Sequence, residues 1–169
     1  MPWFRLTVSH QTRLDPQQAW DFLNDVANLE RMTPPEMRFK FLGDPHKPLS
    51  LGSILVYSIR PLPLYKTLWV SEISAFEPPN RFCDTQLKGP YGSWIHEHRI
   101  LKNQNSEGCT IADDIYFELP LGILGTLVYH LYVRRALSKA FAFRRKQLDL
   151  LIQNEANLDY QFTLKPLNA

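Results

Sequence analysis

Apolar side chains recur along the chain in two periods, every second residue over most of it and then, from about residue 121, at helical spacing. Trp3 to Leu14 alternates: Phe4, Leu6 and Val8 fall on one side and Arg5, Thr7 and Ser9 on the other, as in a half-buried strand. Asp15-Pro16 supplies the N-cap and first-turn proline of a short helix whose apolar set is Ala19, Trp20, Phe22 and Leu23. A second short helix, around Val26 to Met32, ends at Thr33-Pro34-Pro35, because a residue before proline is held out of the helical region. Alternation then resumes in six segments: Arg38 to Gly43, Ser53 to Ile59, Lys66 to Phe76, Arg81 to Leu87, Ser93 to Leu101 and Cys109 to Glu118. Turn-forming runs such as Asp44-Pro45, Pro78-Pro79-Asn80 and Gly89-Pro90-Tyr91-Gly92 separate them. Connections this short join antiparallel neighbours.

Leu121 to Gln153 has no internal proline and predicts one long helix. At 1.5 Å per residue it approaches ~50 Å, whereas a compact chain of this length has a radius of gyration near ~16 Å, so the helix must cross the whole molecule. Projected at about 100° per residue, Ile123, Leu127, Leu131, Leu137, Phe141, Leu148 and Ile152 share one arc, and Arg135, Lys139 and Lys146 another. His130, Arg134, Arg144 and Arg145 fall on or beside the apolar arc. The expected class is α+β: a curved seven-stranded antiparallel sheet wrapped around the long C-terminal helix, with two short helices after the first strand. Residues 1–153 form this body. Residues 154–169, polar apart from Tyr160, Phe162 and Leu164, read either as a loose tail or as an added edge strand.

Composition narrows the class of partner. With 44% hydrophobic residues, 21% charged residues and a net charge of +2, the 169 residues describe one ordinary globule whose dispersed cations carry no nucleic-acid footprint. Cys83 and Cys109 have no metal-ligand spacing and are expected as free thiols in a reducing, cytoplasmic setting. The N-terminal residues lack the features of a signal peptide, so export is not expected. Phe117 to Val133, the nearest approach to a membrane segment, is interrupted by Glu118, Pro120, two glycines and His130, which leaves at most transient membrane contact. Pro61-Leu62-Pro63-Leu64 is either a rigid hairpin turn or an apolar rim, and Pro120, Gly122 and Gly125 let the chain turn from strand to helix.

Period-two counting aims Asp84 and Gln86, then Trp94, His96 and His98, then Asp113, Ile115 and Phe117 at one interior from three neighbouring strands. Ionisable groups in an apolar interior must satisfy one another, water or a ligand. Three readings therefore stand: a buried network that fixes register, a set that orients the polar end of an apolar ligand, or an acid–base pair in which Asp84 or Asp113 holds His96 or His98. The catalytic candidates are His96, His98 and Asp113. A two-histidine, one-carboxylate metal site has no motif fixing its third ligand, so neither metal nor other cofactor is expected. Arg144 either pairs with Asp84 or Asp113 or meets a ligand carboxylate or phosphate.

Three stretches carry a resemblance: Pro79-Asn80-Arg81-Phe82-Cys83-Asp84-Thr85-Gln86; Gly89-Pro90-Tyr91 with Trp94-Ile95-His96-Glu97-His98; and Asp113 to Gly122 with Phe143-Arg144. Over residues 3 to 153 the chain resembles the SRPBCC (START-like, Bet v 1-like) superfamily of helix-grip proteins, and more closely its bacterial ligand-binding, cyclase/dehydrase-like members. That resemblance implies a site for a hydrophobic, lipid-like or polyketide-like small molecule between sheet and helix. Asp84, Gln86, Trp94, His96, His98, Asp113, Ile115, Phe117, Phe141 and Arg144 would line it. Since the superfamily holds both carriers and enzymes, it leaves open a cyclase- or dehydratase-type enzyme and a protein-interaction accessory domain. Relatives often carry tyrosine where this chain has Phe117, which removes one hydroxyl from the network.

Overall fold

The computed structural model describes residues 2–62, 65–104, 107–120, 122–152 and 158–167. Leu121, Gln153, 154–157 and the Pro63-Leu64 tip of the expected rim lie outside them, as do the side chains of Leu62 and Ile123. Strand β1 (Trp3–Thr12) leads into α1 (Pro16–Asn24) and α2 (Val26–Arg31), and a 3₁₀ turn at Pro35–Met37 follows. The sheet continues through β2 (Lys40–Phe41), β3 (Ile54–Leu62), β4 (Tyr65–Glu77), β5 (Arg81–Lys88), β6 (Ser93–Lys102) and β7 (Cys109–Glu118). The last helix is α3 (Ile123–Val128), a π-helical turn at Tyr129–Val133 and α4 (Arg134–Leu151), and β8 (Tyr160–Leu167) closes the order. All pairings are antiparallel, in the order β2-β3-β4-β5-β6-β7-β1-β8.

The α+β class and the grip of a curved sheet on a long helix are as expected; the sheet has eight strands rather than seven. Of the two roles left open for the C-terminal stretch, the structure takes the edge strand: Tyr160 to Leu167 pairs with His10 to Trp3. The first expected segment after the helices shrinks to two residues. Arg38 caps the 3₁₀ turn in the left-handed region, at φ 44°, and so cannot start a ladder. Asp15 forms the capping box that opens α1, its side chain accepting from Gln18 N while Gln18 returns a bond to its backbone.

The long helix departs from even α-helical winding. The backbone N–H of Arg134 reaches back five residues to the Tyr129 carbonyl, so the π turn holds one residue more than an α turn and rotates everything before it by about 100°. Tyr129 and Val133 consequently face the core with Leu137, Phe141 and Leu148. Leu127 and Leu131, expected inward, are 55% and 70% exposed. At the start of α3, Gly125 packs so tightly that a Cβ would stand 2.6 Å from the Pro120 carbonyl oxygen, and Gly122 adopts φ 54°. These two positions need glycine to make the strand-to-helix turn.

Two core clusters fill the grip. One joins α1 and α2 to β3, β4 and β5 through Trp20, Val26, Met32, Tyr57, Ile73 and Phe82. The other packs β1, β6 and β7 on the last helix through Phe4, Trp94, Ile115, Phe117, Tyr129 and Phe141. The candidate site lies between them.

Candidate functional site

Strand register assembles the polar groups. Antiparallel pairing sets Asp84 opposite His96 and His98 opposite Asp113, and alternation turns all four to the inner face. Directly opposed residues sit about 5 Å apart, and diagonal ones remain within reach of long side chains, so each imidazole meets both carboxylates. His96 places Nε2 3.0 Å from Asp113 Oδ1 and Nδ1 3.5 Å from Asp84 Oδ2. His98 places Nδ1 2.9 Å from Asp113 Oδ1 and Nε2 3.3 Å from Asp84 Oδ2. Across the interior, Arg144 on α4 donates from Nη2 to Asp113 Oδ1 at 3.2 Å. The two imidazoles lie 3.8 Å apart, and Phe82 stacks on His98 at 4.3 Å.

This lattice divides its protons unequally. Burial works against a charged His98, yet its hydrogen bonds to Asp113 and Asp84 outweigh burial and raise its pKa. His96 is lowered, by burial and then by the charge of His98 beside it. Burial opposes ionisation of Asp113 too, but the Arg144 guanidinium and both histidines hold it well below the usual carboxylate range; Asp84 is lowered against burial by the same histidines. The network therefore favours two ionised carboxylates, the charged form of His98 over that of His96, and a neutral His96, an arrangement whose charges, with the Arg144 guanidinium, cancel. With Nε2 of His96 donating to Asp113, its Nδ1 is left as an acceptor on the Asp84 side.

Stability should follow this division. His98, raised in the fold, contributes fully below its ordinary value of 6.5 and loses that contribution as pH climbs through the raised value. His96 has the opposite sign, contributing above 6.5 and losing its share as pH falls. The carboxylates' contribution is present above 3.8 and disappears only in stronger acid. His98→Gln is expected to flatten the alkaline fall in thermal midpoint that sets in above about pH 6.5. A variant that keeps the wild-type slope there would show His98 uncharged.

A cavity of about 200 Å³ opens beside the network. Leu23, Leu29 and Met32 from the α1–α2 segment, Tyr57 and Trp69 from β3 and β4, and Leu137 and Phe141 from α4 supply apolar wall. Its charged lining is Asp84, His96, His98 and Arg144. Of the ten residues named from sequence, these four with Trp94 and Phe141 line the cavity. Asp113 stands behind the histidines, 3% exposed, and acts on the cavity through them and Arg144. Gln86 donates to the Tyr91 carbonyl and so braces the β5–β6 turn. Ile115 and Phe117 share the face of Asp113 but lie further along β7, where Phe4 stacks between Phe117 and Tyr129 and the core is closed.

Among the other cations, His130 and Arg134 point to solvent, and Arg145 lies over the Tyr160 ring at 4.4 Å with Asp149 3.9 Å away. Tyr57 is a lining residue that sequence reasoning passed over. Leu55, Tyr57 and Ile59 alternate as plainly as any strand here, and their period was the signal for an inward hydroxyl. Asp84, His96 and His98 each bring a ligand atom within 4.8 Å of the others and are the residues that could hold a metal ion. A divalent cation there would have to displace the proton of His98 beside a guanidinium. Cys83 and Cys109 are free and buried, and burial pushes the Cys109 thiol up to about 11.

No family model and no curated protein matches the chain in sequence. Solved structures do match in fold. A protein of Thermus thermophilus superposes with a TM-score of 0.66 at 14% identity, over 88% of this chain and 97% of the other. A protein of Mycobacterium smegmatis gives 0.60 at 16%, over 88% and 90%. The major latex-like protein 151 of Panax ginseng gives 0.62 at 9%, over 89% and 97%. Likeness at these identities establishes the helix-grip fold that a plant latex-like protein and bacterial proteins share.

Proposed function

We propose that the chain binds a hydrophobic small molecule bearing one polar group, with its apolar part in the cavity and its polar group against Asp84, His96 and Arg144. The observation that carries this reading is the lining itself: apolar walls with every charged member gathered into one set joined by hydrogen bonds and ion-pair contacts. A cluster whose desolvation must be offset bond by bond, set at the wall of a cavity rather than inside closed core, supports a guest to orient over a network that only fixes register. The set offers an acceptor on the His96–Asp84 side and the remaining guanidinium donors of Arg144, which suits a hydroxyl or carboxyl group.

Size limits the guest. An apolar hole of about 150 Å³ takes a single benzene ring, so 200 Å³ accepts one ring or a short acyl chain. A sterol, a long lipid or a polycyclic polyketide would have to extend beyond the cavity mouth or move the α1–α2 wall. Trp69 and Trp94 line the cavity and report occupancy. Titration with medium-chain fatty acids and alkylphenols is expected to change their emission saturably, and native mass spectrometry should retain one equivalent. A chain that shows neither with any member of such a panel is not a binder of this class.

A second reading is acid–base catalysis on that guest. It is favoured by one observation, a cavity-lining His96 whose Nε2 is held by Asp113 and whose pKa burial lowers, so that the neutral form is favoured. His96→Gln would then lower turnover by far more than it weakens binding, whereas in a carrier, which turns nothing over, it weakens binding alone.

A further inference from the structure

The outer side of the long helix carries a second feature, independent of any guest in the cavity. Leu124, Leu127, Val128 and Leu131 recur at i, i+3, i+4 and i+7 and are 62%, 55%, 41% and 70% exposed. The π turn puts them there by rotating this stretch away from the core. Where the stripe ends, Leu131 forms the edge of a surface groove of about 810 Å³. Four cations, Arg38, Arg60, Arg135 and Lys139, line the groove against one carboxylate, Glu36, which pairs with Lys139. Among the described residues, Arg38, Arg60 and Arg135 make no ion pair. Pro34, Met37 and Ala140 line both this groove and the internal cavity, so the two hollows share a wall.

We infer that this face docks on the surface of an anionic lipid bilayer, with the leucine stripe entering the headgroup boundary and the groove's arginines meeting lipid phosphates. Apolar side chains on one face of a helix, flanked by unpaired cations, are what an interfacial helix presents, and each cation near an anionic leaflet adds to the attraction. A nucleic acid would satisfy the arginines but leave four large aliphatic side chains with no apolar partner. A second copy of the chain would cover the leucines only by setting like charges face to face, because a twofold contact apposes the same patch to itself. The left-handed backbone of Arg38, a conformation that disfavours any side chain, orients one of the arginines in the groove.

Flotation of the whole chain with phosphatidylcholine vesicles, with and without phosphatidylglycerol, tests the inference. Binding is expected to be at least about tenfold stronger on the anionic vesicles and to fall steeply with salt. Leu127→Ser/Leu131→Ser and Arg60→Glu/Arg135→Glu should each remove most of it with unchanged thermal melts, since these side chains are exposed or lie at the groove edge. Arg38→Gly is a second control: glycine suits φ 44°, so its melt should not fall while vesicle binding does. Equal binding to both vesicle types, no binding to either, binding untouched by these variants, or a dimer by light scattering that Leu131→Ser dissolves would each overturn it. None of these outcomes depends on whether the cavity holds a guest.

Discussion

Asp113→Ala is expected to cost about 3–5 kcal/mol of folding stability, the loss seen when one member of a buried charge network is removed and its partners are left uncompensated. Two donors converge on one Asp113 oxygen, His96 at 3.0 Å and Arg144 at 3.2 Å, and His98 Nδ1 stands in ion-pair contact with the same oxygen at 2.9 Å. Without it, Arg144 and a charged His98 share only Asp84, in an interior that gives neither adequate water. For a chain of this size the midpoint should drop by roughly 10 °C. Asp113→Asn keeps the shape and an acceptor and should lose less. The outer-face pair of Arg5 and Asp114 is the comparison: its bonds are as short, 2.8 and 2.6 Å, but Arg5 is 35% exposed, so Arg5→Ala should cost no more than about 1 kcal/mol. Urea melts of the three variants check this order. An Asp113→Ala loss below about 1 kcal/mol would mean the network is not charged as described.

That network was the part of the site most legible in the sequence, because strand period and short connections alone dictate which side chains share a face. Asp84, His96, His98 and Asp113 needed only alternation and nearest-neighbour pairing to be brought together. What alternation does not encode is depth along a strand. Ile115 and Phe117 have the same facing as Asp113 but lie where β1 and Tyr129 close the core, and only three-dimensional packing distinguishes a closed stretch from a hollow one. The helix shows a second limit. An even 100° per residue placed Leu127 and Leu131 inside, and a π turn has no period of its own from which the offset could be read. The α1–α2 segment was visible as two short helices, but its role as a cavity wall through Leu23, Leu29 and Met32 depends on where it folds back, which no local pattern states. The likeness carried by the Asp84, His96–His98 and Asp113 motifs led to the right architecture, the helix-grip fold.

Arg144→Met should separate ligands by their polar group. In the fold, Arg144 donates from Nη2 to Asp113 and lines the cavity. Losing a charge-assisted bond typically costs about 1.5–3 kcal/mol, so a medium-chain fatty acid should bind about 10–100-fold more weakly to the variant. The alcohol of the same chain length, which needs only the His96–Asp84 side, should change by less than about threefold, because its apolar contacts persist and Met fills most of the lost volume. The same substitution has an electrical consequence that a packing role cannot imitate. Arg144 disfavours the charged form of His98 and favours ionised Asp84 and Asp113, so removing it raises the pKa of all three. The alkaline limb of the stability profile should therefore move to higher pH, since His98 keeps its proton further, and the acid limb should also begin at higher pH, since the carboxylates protonate sooner. Equal weakening of acid and alcohol together with an unmoved pH profile would reduce Arg144 to a wall residue and leave the polar group of the ligand to His96 and Asp84.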